Sequence, residues 1–129
     1  MATADQFRQA ANDARSAIAD AEDAERICRL YRHDTGLIGG RVRESVEWAF
    51  DSSVFNARSL ADDCAALAIE LDARATVCDQ YNLAYDNYLN ARSNWAARYE
   101  RFADGDDGAS HPGPMPTPPS KPEPWVTRG

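Results

Sequence analysis

Apolar residues near the start of the chain recur every seven positions. They form two adjacent rows: Phe7, Ala14, Ala21 and Cys28, and beside them Ala10, Ala17, Ala24 and Tyr31. A heptad spacing is typical of a helix that packs against another helix along one side. The pattern predicts a first helix over about 4–33. Because most of these residues are small, a partner helix can approach it closely.

A longer apolar stripe, with steps of mostly three and four residues, predicts a second helix over about 52–103. Its members are Leu60, Cys64, Leu67, Leu71, Cys78, Tyr81, Tyr85, Tyr88, Trp95, Tyr99 and Phe102. At 1.5 Å per residue the first helix would be about 45 Å long and the second about 75 Å. The first helix therefore cannot cover the aromatic end of the second. We expect that end to be a partner interface, formed by Tyr85, Tyr88, Trp95, Tyr99 and Phe102.

The position of the turn between the two helices has two interpretations. In the first, a connector over 34–51 ends in a turn at Trp48, whose ring covers the hairpin tip, and Asp51 or Ser52 caps the second helix. In the second, the turn lies at Gly36–Gly40 and a single helix runs from 41 onward, with Trp48 on its outer side. The Asp-Ser-Ser cluster at 51–53 favours the first interpretation.

Helix-breaking residues divide the chain cleanly. Every proline lies in 112–124, and every glycine lies in 36–40, in 105–113 or at the C-terminus. Residues 1–103 therefore form one helical domain, and 104–129 have the composition of a disordered, Pro-rich tail. The predicted fold is all-α: an elongated antiparallel helical hairpin with a long second helix and a disordered tail.

Charge and motif content argue against several function classes. The net charge is −7, and no basic stripe suited to nucleic acid is present. The spacing of Cys28, Cys64 and Cys78 matches no zinc motif, and no phosphate-binding loop or catalytic Cys–His pair is evident. We predict no enzyme activity, no cofactor, no metal and no small-molecule substrate. Cys28 could form a disulfide with Cys64 or Cys78, and this stays open.

The start of the chain carries no apolar signal core, and no run of residues is long enough to span a membrane. We therefore expect synthesis in the cytoplasm. If the protein is exported, it leaves the cell without a cleaved signal peptide.

The segment 46–75, beginning VEWAFDSSVFNARS, resembles the centre of the small WXG-type helical hairpins of actinobacterial type VII (ESX) secretion. Trp48, Ser52, Ser53, Phe55 and Arg58 occupy the places of that motif, in which a Trp lies at the interhelical turn. Phe50 replaces the motif glycine. The Tyr-x-x-x-Asp/Glu export signal is missing, because Ala103 follows Tyr99 by four residues.

The resemblance implies a non-enzymatic partner protein. Such a protein pairs with another helical protein, or with the helical N-terminal domain of a secreted toxin, and is exported with it. The alternative is a cytoplasmic coiled-coil module that associates with itself, as adaptor or structural element. The sequence does not identify the partner or the stoichiometry.

Overall fold

The computed structural model describes residues 2–33 and 39–129, and it contains two α-helices in that part of the chain. Helix α1 covers Ala4–His33 and helix α2 covers Gly40–Ala103. The predicted all-α fold is confirmed. The chain divides into two compact units, the hairpin unit Asp5–Ala73 and the tail unit, which holds Arg74–Gly129 and the residues before Asp5.

In the hairpin unit α1 and α2 pack side by side as an antiparallel pair. Ion pairs join them: Arg15 to Asp72, Arg58 to Glu25 with 2.7 Å between Nε and Oε1, and Arg32 to Asp51 with 2.7 Å between Nε and Oδ1. Residue numbers rise along α1 as those of its partners fall along α2, so the helices run in opposite directions. The predicted helical hairpin is confirmed.

The contact between these helices is lined mainly by alanine. Phe7, Ala11, Ala14 and Ala21 are buried on α1, and Ala68 is buried on α2. The α1 row predicted from the heptad is thus confirmed, with Cys28 half-buried at its end. Small side chains allow close approach but remove little apolar surface each, at about 0.8 kcal/mol per buried methylene.

The predicted stripe of α2 is wrong at two of its leucines. Leu60 and Leu67 are 53% and 47% exposed, whereas Ala68 next to them is 3% exposed. The packed positions in this part of α2 are buried or half-buried and mostly small: Ala57, Ala61, Cys64, Ala68 and Leu71. Hydrophobicity favoured the leucines. The alanines on α1, however, let the two helices approach so closely that mainly small residues of α2 fit opposite them.

The turn lies before α2 and not at Trp48. Helix α2 starts at Gly40, whose φ of 67° suits glycine, and continues without a break to Ala103. The predicted connector 34–51 and the helix start at 52 are therefore wrong, and the alternative of one helix from about 41 is confirmed. Residues 34–38, which include Gly36 of the predicted turn, lie outside the described residues.

Asp51 and Ser52 consequently lie inside α2 and cap nothing. Asp51 accepts hydrogen bonds from Arg32 instead. Ser53 donates from Oγ to the carbonyl of Ala49 at 2.9 Å, a bond typical of a serine within a helix. Near the predicted tip, Tyr31 stacks with Phe50 at a centroid distance of 6.5 Å. Phe50, and not Trp48, contacts the end of α1.

The three cysteines are free thiols, with Cys78 buried and Cys28 and Cys64 half-buried. Neither helix, over the residues described, combines the length and the apolar character needed to cross a lipid bilayer.

The expectation of a disordered tail is wrong. Residues 104–129 form no helix beyond Ala103, yet Val126 is completely buried. Thr127 donates from Oγ1 to the carbonyl of Ala2 at 2.9 Å, and Gly129 exchanges two hydrogen bonds with the Asn82 side chain. Prolines lower the entropy that the tail loses on docking, so few contacts suffice to hold it.

The alanine contact predicts a position-specific effect of larger side chains. Ala68→Leu should lower the free energy of unfolding by about 1–3 kcal/mol, because it overfills a close helix contact. Ala66→Leu, the same change two residues earlier on an exposed position, should alter it by less than about 0.5 kcal/mol. Urea denaturation of the isolated chain measures both. Equal losses would show that Ala68 does not line the contact.

Candidate docking face on the second helix

The aromatic residues predicted as a partner interface lie in the tail unit and contact one another along α2. Tyr85 and Tyr88 meet edge to face at 5.5 Å, Trp95 stacks on Tyr99 at 5.1 Å, and Tyr99 lies 6.4 Å from Phe102. The structure therefore brings the predicted residues together in two consecutive groups.

The tail of the same chain contacts this aromatic surface and covers it in part, with Tyr99 and Phe102 still 43% and 40% exposed. Trp95 donates from Nε1 to the carbonyl of Gly113 at 3.0 Å. The His111 ring meets Phe102 at 5.2 Å and Tyr99 at 5.8 Å, both edge to face. Arg128 lies over the Tyr85 ring at 4.5 Å. In the isolated chain this surface already has an occupant, which sequence reasoning missed because the tail looked too polar to pack.

A second apolar surface lies within the hairpin unit, on the side of α2 turned away from its alanines. Trp48, Phe55 and Ile69 are 72%, 69% and 72% exposed. Positions 48, 55, 62 and 69 recur every seven residues, and between them lies a second row of small residues. We call the outer face the set Ser45, Trp48, Ser52, Phe55, Ser59, Asp62, Ala66 and Ile69.

The steps along the outer face alternate between three and four residues. Seven residues of a 3.6-residue helix fall about 20° short of two turns, so the set stays on one side of α2. Ala68, by contrast, lies roughly 140° from Phe55 on the helical wheel, at about 100° per residue. The outer face has the periodicity of a coiled-coil seam, without a helix packed on it.

Flanking residues extend the apolar area along one side of the outer face. Val42, Leu60 and Leu67 are 64%, 53% and 47% exposed. Exposed apolar residues grouped in this way are typical of interaction sites.

The other side of the outer face borders a cleft of about 500 Å³ lined by arginines and carboxylates. Its lining residues are Arg29, Arg32, Asp51, Val54, Phe55 and Arg58. Hydrogen bonds from Arg58 and then Arg29 hold the pKa of Glu25 below its ordinary value. The bond to Asp51 raises the pKa of Arg32. These cations are matched by carboxylates, so the cleft is an ion-pair network and not an anion site.

Charges of both signs lie beside the apolar residues of the outer face, and the exposed Arg41 lies one heptad before Trp48. Asp62 belongs to the face itself, and Asp63 follows it; both are exposed. Neither forms an ion pair within the described residues. In the same part of the chain, no group of three or more His, Cys, Asp or Glu side chains is arranged to hold a metal ion.

The heptad signal of the outer face was present in the sequence. Trp48 and Phe55 are seven residues apart, and Ile69 continues the same row after one interruption at Asp62. The leucines at 60 and 67 belong to a stronger apolar stripe. The prediction therefore placed these leucines in the helix contact and did not include the outer face.

The chain matches no protein-family model, no curated protein and no solved structure. Function is therefore inferred from the chemistry of the outer face and of the surface that the tail covers.

The contacts of the tail predict that Val126 is needed for the tail to dock. Val126→Asp should place a carboxylate in a buried site and detach the tail, because an isolated charge is costly to bury. We expect a lower melting temperature and faster proteolytic cleavage within 104–129. Met115→Asp, the same charge on a 53% exposed tail residue, is the matched control and should change neither. Equal behaviour of the two variants would mean that the tail does not dock.

Proposed function

We propose that this chain is a non-enzymatic helical partner protein that pairs with another helical protein through the outer face of α2. The observation that carries the proposal is the row Trp48, Phe55 and Ile69, which is about 70% exposed at every member and keeps a heptad spacing. Exposed apolar residues with this spacing suit a helix laid along α2.

The size of the face fits a helical partner. Residues 45–69 extend over about 36 Å, which is nearly seven turns of helix. Full burial of each large apolar side chain contributes roughly 1.5–3 kcal/mol. Against this stand the lost translational and rotational freedom of two molecules and the ordering of side chains. The gain from three large side chains and their flanking leucines is of the same order as these costs, so the loss of any one of them should weaken the complex.

The resemblance to WXG-type secretion proteins supports the same surface. Of its motif residues, Trp48 and Phe55 are two of the three large anchors, and Ser52 belongs to the row of small residues. Ser53 and Arg58 are engaged within the hairpin unit. The motif thus coincides in part with the proposed docking face. Pairing with a second small helical protein, or with the helical N-terminal domain of a secreted toxin, and export with it, follow as the finer proposal.

Pairing is tested with a small helical protein encoded beside this chain as the candidate partner. Size-exclusion chromatography with light scattering should show a complex for the wild type. Trp48→Ser and Phe55→Ser should each weaken it at least about tenfold, which corresponds to about 1.4 kcal/mol.

The control for pairing is Leu30→Ser, which removes a 57% exposed leucine from α1. It should leave the complex unchanged. A complex that tolerates Trp48→Ser and Phe55→Ser but is lost in Leu30→Ser would contradict the proposed face.

A further inference from the structure

We propose that the aromatic residues of α2 in the tail unit form a groove that binds a proline-rich segment in the polyproline II conformation, and that its ligand in trans is the tail of a second copy of this chain. We call the aromatic row the set Tyr81, Tyr85, Tyr88, Trp95, Tyr99 and Phe102. None of these residues belongs to the outer face, so the inference goes beyond the proposed function.

The tail runs lengthwise along α2, in the opposite direction to the helix. Its Gly113 accepts the hydrogen bond of Trp95, and the centre of its Trp125 ring lies 4.9 Å from the guanidinium carbon of Arg74. Between Trp95 and Arg74 the helix rises about 32 Å. From Gly113 to Trp125 a helical tail would span only about 18 Å, whereas a polyproline II chain spans about 37 Å. The tail is therefore extended over this stretch.

Burial in the tail repeats at every third residue. Gly113, Pro116 and Pro119 are half-buried, and the residues between them are exposed. Because polyproline II has three residues per turn, these three lie along one edge of the segment. Pro116 and Pro119 are also the two ends of a Pro-x-x-P pattern, and each proline ring fixes φ at about −65°. The edge that packs on the protein is thus the edge by which Pro-x-x-P segments are recognised.

The aromatic row offers two features that suit such an edge. A polyproline II segment has no internal backbone hydrogen bonds, so its carbonyl groups accept bonds from outside. Trp95 donates one such bond from Nε1 to Gly113 at 3.0 Å. Tyr85 and Tyr88 are half-buried and lie between Trp95 and Arg74 along α2, and aromatic rings line the grooves in which Pro-x-x-P segments dock.

Contacts at both ends of the tail determine which proline-rich segment fits. Before the prolines, the His111 ring meets Phe102 edge to face at 5.2 Å. After them, Val126 is completely buried and Arg128 lies over the Tyr85 ring at 4.5 Å. A segment with Pro-x-x-P alone lacks these groups, whereas the tail of a second copy carries all of them. The occupant in trans is therefore a second copy.

The linker between α2 and the tail permits the exchange. Residues 104–110 are nearly all exposed, and Gly105 and Gly108 have φ of 76° and 81°. The ion pair from Arg101 to Asp106, at 3.8 Å, joins two exposed side chains and contributes little. A tail that moves to a second copy makes the same contacts there as in its own chain.

Concentration decides between the two arrangements. A short flexible linker gives the tail an effective concentration on the order of 1 mM at its own groove. If docking in cis is favoured about a hundredfold, the same tail should bind a vacant groove in trans with a Kd of about 10 µM. The groove of the wild-type chain is occupied and must be vacated first.

The test uses the full-length Val126→Asp variant, whose own tail is detached, and a fluorescent synthetic peptide of residues 109–129. Fluorescence anisotropy should give a Kd of about 10 µM for this variant and at least about tenfold weaker binding to the wild type. Alanine in place of Pro116 and Pro119 of the peptide should weaken binding, because the pre-extended edge is lost. Absence of binding to Val126→Asp would overturn the proposal.

Changes in the groove locate the peptide. Trp95→Ala added to Val126→Asp should abolish binding, and Trp95→Phe, which keeps a ring but removes the donor, should weaken it. Leu83→Ala truncates a 63% exposed leucine of the same helix and is the control that should bind as before. Circular dichroism should show equal helicity for all of them. Equal binding by the Trp95→Ala and Leu83→Ala variants would overturn the groove.

Two further measurements test the source of the ligand. The full-length Trp95→Ala chain has an intact tail, so mixing it with Val126→Asp should give a heterodimer in size-exclusion chromatography with light scattering, and neither chain alone should dimerise. An unrelated peptide with Pro-x-x-P but without the flanking groups should bind at least about tenfold more weakly than the tail peptide. Equal binding of the unrelated peptide, or no heterodimer, would show that the occupant is not a second copy.

Discussion

Close approach of α1 and α2 through alanine is the constraint on which the hairpin unit depends. Ala11, Ala14 and Ala21 on one helix leave space only for small residues such as Ala68 on the other. Most of the larger apolar side chains in this part of α2 thereby lie on other sides of the helix, with Leu71 as the half-buried exception. The same constraint that lets the hairpin form therefore leaves Trp48, Phe55 and Ile69 in water.

The aromatic residues of the two units differ in what contacts them. In the tail unit, Trp95, Tyr99 and Phe102 contact residues of the C-terminal tail, and Gly113 and His111 supply the contacts. In the hairpin unit, the outer face of α2 has no such cover among the described residues. An exposed apolar surface of this kind is typical of interaction sites, which is the physical basis of the proposed pairing.

Sequence periodicity was sufficient to predict two helices, their antiparallel pairing and the α1 row that contains Phe7. It was insufficient where hydrophobicity and side-chain volume favoured different residues of α2. Leu60 and Leu67 are more hydrophobic than Ala68, but packing against alanines is decided by volume. The Asp-Ser-Ser cluster was read as a helix start, although Asp51 is used by Arg32 in an ion pair across the hairpin. Composition did not predict that the tail packs on α2, because the burial of Val126 and the edge-to-face contacts of His111 depend on tertiary structure.

The central claim is that the outer face of α2 is bare in the isolated chain, and footprinting with hydroxyl radicals tests it most directly. Phe55 and Phe7 form a matched pair, because they have the same intrinsic reactivity but are 69% and 8% exposed. In dilute protein, mass spectrometry should find Phe55 oxidised several times faster than Phe7, and Trp48 faster than the half-buried Trp95. Equal protection of Phe55 and Phe7 would contradict the account.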